Sequence, residues 1–351
     1  MTEPSADDGV PLRRNRAAWV TRLLLLGVAV AVVVALVRAY RRVDLDEVWE
    51  AMGHLEWWHV PVLVGVLLLR QVLNAAPLAI YIPGAGFYRA TINDLSAATA
   101  SSFAPPPSDM VLRVTMFRSW GFDVSRALAA TTMNALTMFI MRFGAPLVGF
   151  LLLPFLGVPL GLRALDIVSL LVAAGILGGV LLVVRGETQA AQLGHRVAGV
   201  VRRLRKDTDP EAWATTFATF QQNIADGFPR RFPRALLATL AMMTADLLLL
   251  TLALRFVGVG AAEASLLVIA AAFFFAYPLT LFPMQGIGLL DAAIVAALVE
   301  SAGAAVTEPA IAGLIIWRVF TIAGPLALGA GAIVVWRGST RDARPRSTPA
   351  H

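Results

Sequence analysis

Long apolar runs, interrupted by arginines, prolines and glycines, fill most of the chain. A bilayer crossing needs ~20 apolar residues for a ~30 Å hydrocarbon core. By that measure the pattern predicts six full spans, at 18–38, 60–82, 127–154, 166–184, 235–257 and 310–336. The first apolar core, Leu23–Val37, is followed by Arg38–Ala39–Tyr40–Arg41–Arg42 rather than a small-residue cleavage site, which predicts an uncleaved span. Between the first two spans, Asp44–Trp58 mixes acids with Trp49, Trp57 and Trp58 and reads as a helix lying along the membrane surface.

Two further apolar stretches are broken. Ala90–Phe103 carries Asn93 and Asp94 early and small residues afterwards, and ends at Pro105–Pro106–Pro107. The chain restarts at Ser108 and Asp109 with a short helix, Met110–Trp120, that carries Arg113 and Arg118. The second break interrupts the run Ala264–Phe282 with Pro283, Gln285, Gly286 and Gly288, and Asp291 opens the restart. Proline removes a backbone donor and glycine frees the backbone, so a continuous helix is not expected there. The restarted Ile287–Val299 would reach only ~20 Å, too short to cross. Irregular backbone at membrane depth survives only where protein or a wet cavity covers it, and in transporters it points to the substrate site.

The breaks recur in the same order. A small-residue helix, a proline, a small residue with an acid, a short helix, a glycine and a long arginine-bearing span appear twice. The first set contains Pro107, Ser108, Asp109, Gly121 and Arg142; the second contains Pro283, Gly286, Asp291, Gly303 and Arg318. Gly144–Ala145–Pro146–Leu147 also matches Ala323–Gly324–Pro325–Leu326. With both hairpins re-entrant, the first over 88–120 and the second over 264–301, the two halves run in opposite directions as an inverted repeat. Eight full spans is the alternative.

Composition agrees with a polytopic all-α membrane protein. Hydrophobic residues make up 58% of the 351 positions, charged residues 15%, and mean hydropathy is +0.73. Cysteine is absent, which removes disulfides, zinc thiolates and thiol nucleophiles. The charge of +6 rests on arginine, Lys206 being the one lysine. It gathers in the polar tail 1–17, the loop 185–234 and the tail 337–351, all placed in the cytoplasm of a plasma-membrane protein by the positive-inside rule. Glu211–Ala225 within that loop reads as an amphipathic surface helix. Nucleic acid is not expected as a partner. His54, His59 and His195 show no metal spacing, and no cofactor is expected.

Charged side chains inside spans are costly and tend to be functional. Arg70 (with Gln71 and Asn74), Arg142, Asp246 and Arg318 fall within spans; Asp109, Arg113 and Asp291 fall in the short helices after the breaks. Arginine forks match phosphate oxygens and stay charged when partly buried, so this set is the candidate site for a phosphate-bearing headgroup. The structural alternative is internal ion pairing, with Asp246 held by Arg142 or Arg318.

Phe282–Gly303 and Ala310–Gly329 resemble the flippase-like membrane domain family, the lysylphosphatidylglycerol synthase transmembrane region, and the resemblance extends over about residues 20–336. Pro283, Gly286, Gly288, Asp291, Trp317 and Arg318 occupy its proline, glycine-pair, acid and aromatic–arginine positions, with Asp for the usual Glu. Pro107, Ser108, Asp109 and Arg113 match its first-half pattern loosely, and Thr131–Leu136 lacks its charged cluster. The resemblance implies translocation of a phospholipid or lipid-linked substrate, without the synthase domain and without enzymatic activity. The alternatives are a non-catalytic membrane partner of cell-envelope enzymes, acting through loop 185–234, and a transferase using a polyprenyl-phosphate carrier.

Overall fold

The structure is a computed structural model that describes residues 45–104, 107–156, 171, 174–175, 178 and 228–342. The expected first span, most of the 166–184 span, nearly all of the basic loop with its surface helix, and both tails lie outside these residues, apart from 228–234 and 337–342.

The described residues form α-helices, with no strand among them. They are α1 (Leu45–Gly53), α2 (His59–Tyr81), α3 (Gly86–Phe103), α4 (Ser108–Ser119) and α5 (Val124–Leu152). After the undescribed stretch come α6 (Phe228–Phe256), α7 (Leu266–Ala276), α8 (Leu289–Ala302), α9 (Thr307–Arg318) and α10 (Gly324–Asp342). Four helical stretches are long and apolar enough to cross a membrane: His59–Tyr81, Val124–Leu156, Arg230–Phe256 and Ala304–Ser339. They correspond to four of the six expected spans.

The α6 helix packs along α2, and it also meets α5 and α9; α3 lies between α2, α4 and α10, while α7 rests on α5 and α8. Leu68, Leu69, Leu151, Leu237 and Val334 point outward and make the surface apolar, as a lipid-facing surface requires. Because lipid tails are as apolar as leucine, helices in a bilayer are held by close packing rather than by expulsion of water. Glycines provide the close approaches here. A side chain on Gly313 would meet Leu254, one on Gly324 would meet Leu67, and one on Gly329 would strike the α3 backbone at Leu95. The buried cluster around Leu78, Ile82, Phe117 and Met133 joins α2, α4 and α5.

Four boundaries differ from expectation. The surface helix stops at Gly53, so Trp57 and Trp58 follow it and Trp58 abuts α2. The helix before the first break begins at Gly86, four residues ahead of Ala90. The restart after the second break begins at Leu289 rather than Ile287, because Gly288 takes a positive φ of 82° and serves as the N-cap. The last span is not one uniform helix: between α9 and α10 a π-type turn, Val319–Ala323, precedes Pro325. Pro325 has no N–H to give the preceding turn, and the wider π spacing absorbs that loss. The matching Pro146 instead lies within continuous α5.

Candidate functional site

Both breaks are present, and each is built differently. At the first, Ala104 is extended, Pro107 caps α4, and the Ser108 hydroxyl donates to the Ala104 carbonyl at 3.0 Å. At the second, α7 tightens into a 3₁₀ turn over Tyr277–Leu281, a single helical turn spans Pro283–Gly286, and α8 follows. Gln285, Gly286 and Gly288 all have positive φ, at 56°, 69° and 82°. Gln285 is the one described non-glycine residue in that region, a conformation that clusters at functional sites. A Cβ on Gly286 would run into the Leu279 carbonyl, so the turn folds back on itself too tightly for any side chain.

Asp291 and Arg318 lock this turn. One Asp291 oxygen accepts the Gly288 N–H at 2.7 Å, which caps α8; the other accepts Arg318 Nε at 2.8 Å. Arg318 Nη1 also donates to the Gln285 carbonyl at 3.2 Å, and the guanidinium sits 4.6 Å from the centre of the Trp317 ring. The break is therefore held from α9 through the side chain of Asp291 and the backbone of Gln285.

Trp317 leads inward to a second pair. Its indole N–H donates to Asp246 at 3.0 Å, and Arg70 Nη2 donates to the other Asp246 oxygen at 3.2 Å. Arg70 Nε lies 3.2 Å from Asp246 as an ion-pair contact without hydrogen-bond alignment, and Nη1 donates to Gln71 at 2.8 Å. Asp246 is 3% exposed and Arg70 8%. So Asp246 pairs with Arg70, not with Arg142 or Arg318 as the structural alternative had it. Donors from two other helices thus meet on one buried carboxylate, one to each oxygen.

One turn along α2, Asn74 donates to Asp94 at 2.6 Å, and Asp94 accepts Arg113 Nη2 at 2.7 Å. Asn93 joins the same group, donating to the Arg113 carbonyl at 3.0 Å. Asp94 and Asn93 thus tie the two arms of the first hairpin together. Asp109 stands apart, half-buried in the first turn of α4 and with no ion pair to a described residue.

Arg142 differs from the other span arginines. Among the described residues no carboxylate lies within ion-pair distance of it, and its Nε is buried without a hydrogen-bond partner. The 3₁₀ turn that packs on its helix, α5, begins with the buried Tyr277. Among the described residues, three of the four guanidinium groups (Arg70, Arg113 and Arg318) pair with the carboxylates Asp246, Asp94 and Asp291, and the fourth, Arg142, has none.

Tyr277 and Asp94 are the members that sequence reasoning left out. Asp94 carried a signal, an acid in an otherwise small-residue helix that has to find a partner. Tyr277 carried none, because a tyrosine in an apolar run is ordinary packing. Among the described residues no group of acids and histidines is placed to hold a metal ion.

These features define a polytopic helical membrane protein with a charged interior seam and an interrupted helix beside it. The chain belongs to the Lysylphosphatidylglycerol synthase TM region family, whose pattern matches residues 24–329. No curated protein and no solved structure matches it.

Proposed function

We propose that this protein translocates a phospholipid or lipid-linked substrate between membrane leaflets, acting as a transporter and not as an enzyme. The observation that carries this reading is the interrupted helix at Phe282–Leu289, locked to α9 by Arg318 through Asp291 and the Gln285 carbonyl. Short helices joined by strained turns beside interior charges are the arrangement by which transporters present polar groups to a substrate at depth. In this reading both hairpins are re-entrant halves of an inverted repeat, the protein lies in the plasma membrane with both termini in the cytoplasm, and its partners are lipids with anionic headgroups. Energy comes from a gradient or from consumption of the lipid on the far side.

The test is reconstitution of the full chain in liposomes that carry a fluorescent anionic phospholipid in both leaflets. A membrane-impermeant quencher then bleaches the outer leaflet. Bleaching well beyond the outer half, returning to half in Arg318→Gln, is the expected result. Bleaching that stops at half for both an anionic phospholipid and a lipid-linked sugar, with the protein folded, would overturn the reading.

A further inference from the structure

We infer that Arg142, on the helix against which the turn carrying Tyr277 packs, is the binding site for the phosphate of the transported lipid, and that the site selects headgroups of net negative charge over zwitterionic or cationic ones. This rests on the transport reading and names its substrate class. The argument begins with charge balance. Arg70, Arg113 and Arg318 each have a carboxylate at 3.2 Å or closer, and those three carboxylates are thereby committed. A cationic headgroup would have to take one of them from an arginine. An anionic headgroup need displace nothing, because among the described residues Arg142 has no carboxylate partner and its Nε is buried without a hydrogen bond. An uncompensated guanidinium within a span is expensive, and a ligand that neutralises it removes that cost.

Placement supports the same assignment. Arg142 lies on α5, and both α7 and the 3₁₀ turn after it, which begins at Tyr277, rest on this helix; Phe275 packs edge-on against Phe150 at 5.0 Å. Tyr277 is 8% exposed and lies five residues before the second break, so the site adjoins the interrupted segment. A guanidinium fork and a phenol together offer donors to two phosphate oxygens, and a phosphodiester offers two such oxygens.

The purified full chain, presented with equimolar phosphatidylglycerol and phosphatidylcholine in detergent, tests this by native mass spectrometry of retained lipid. Wild type should retain phosphatidylglycerol in about tenfold excess, because both lipids offer the phosphate but choline adds a cation to a seam whose carboxylates are already paired. Arg142→Gln should lose that excess, Arg142→Lys should keep part of it, and Tyr277→Phe should lower it. Arg142→Gln should melt at an unchanged or higher temperature, because it removes an unpaired, half-buried charge. A fall in melting temperature would make Arg142 structural and overturn the proposal, as would equal retention of the two lipids or an unaltered excess in Arg142→Gln. Displacement of the bound lipid by millimolar inorganic phosphate would assign the site to a soluble anion and overturn the lipid assignment; resistance to it supports the lipid. Binding is read without transport, so retained selectivity beside absent bleaching in liposomes would sink the transport reading and leave the site standing.

Discussion

Asp246 shows how one residue holds a membrane interior together. It receives Arg70 from α2 and Trp317 from α9 while sitting on α6, so three helices converge on one carboxylate. Asp246→Asn keeps the size and leaves Arg70 as an unpaired buried charge, which typically costs about 3–5 kcal/mol. Thermal melting of the full chain in detergent should show that loss. The double change Arg70→Met with Asp246→Leu should recover most of it, since neither charge then remains. If Asp246→Asn melted like wild type, the pair would not be structural. That both residues are buried and matter was legible in the sequence, because span charges demand partners. Which charge meets which was not: Arg70 and Asp246 lie 176 positions apart, and Arg142 and Arg318 were equally eligible. Trp317 was legible as a family position next to Arg318, yet its bond goes to Asp246.

At the level of elements, the second break was legible as Pro283, Gly286 and Gly288, and it forms where those residues stand. Its detail was hidden, since nothing in the local pattern says that Gln285 takes a left-handed backbone or that its carbonyl receives Arg318. The glycines differ in how far they tolerate change. Gly286→Ala drives a methyl group into the Leu279 carbonyl in an unfavourable backbone region, and forced overpacking of this kind costs about 1–3 kcal/mol. Gly65 lies mid-helix in α2 with nothing within 4 Å, so Gly65→Ala should stabilise by about 0.5–1 kcal/mol. Melting curves of the two variants should move in opposite directions. Equal curves would mean that the turn at Gly286 opens freely and that its geometry is not what holds α8. The π-type turn before Pro325 was not legible either, because Pro146 and Pro325 share a local sequence and only one interrupts its helix.

At the scale of the whole molecule, the basic segments predict a direction in the membrane. Arginines cluster in residues 1–17, 185–234 and 337–351, while the segment between α1 and α2 carries Glu56 and two tryptophans and no arginine. Crossing count and charge then constrain each other: with both tails on the cytoplasmic face the number of crossings is even, and the segment around Gly53 lies outside if one crossing precedes it. The absence of cysteine makes this directly measurable, since each introduced thiol is the only one present. In intact cells an impermeant maleimide should label Gly53→Cys, where an added side chain meets nothing within 4 Å, and should leave Ser5→Cys, Thr208→Cys and Ser347→Cys unlabelled until the membrane is opened. Labelling of Ser5→Cys and Ser347→Cys from opposite faces would require an odd number of crossings, which removes the six-span arrangement and the opposed halves with it. Ser102→Cys, exposed near the first break, tests whether the halves of that break cross fully. A hairpin dipping from the cytoplasm keeps that position inside the membrane and unlabelled from outside, whereas full crossings carry it to the outer surface, where the reagent reaches it.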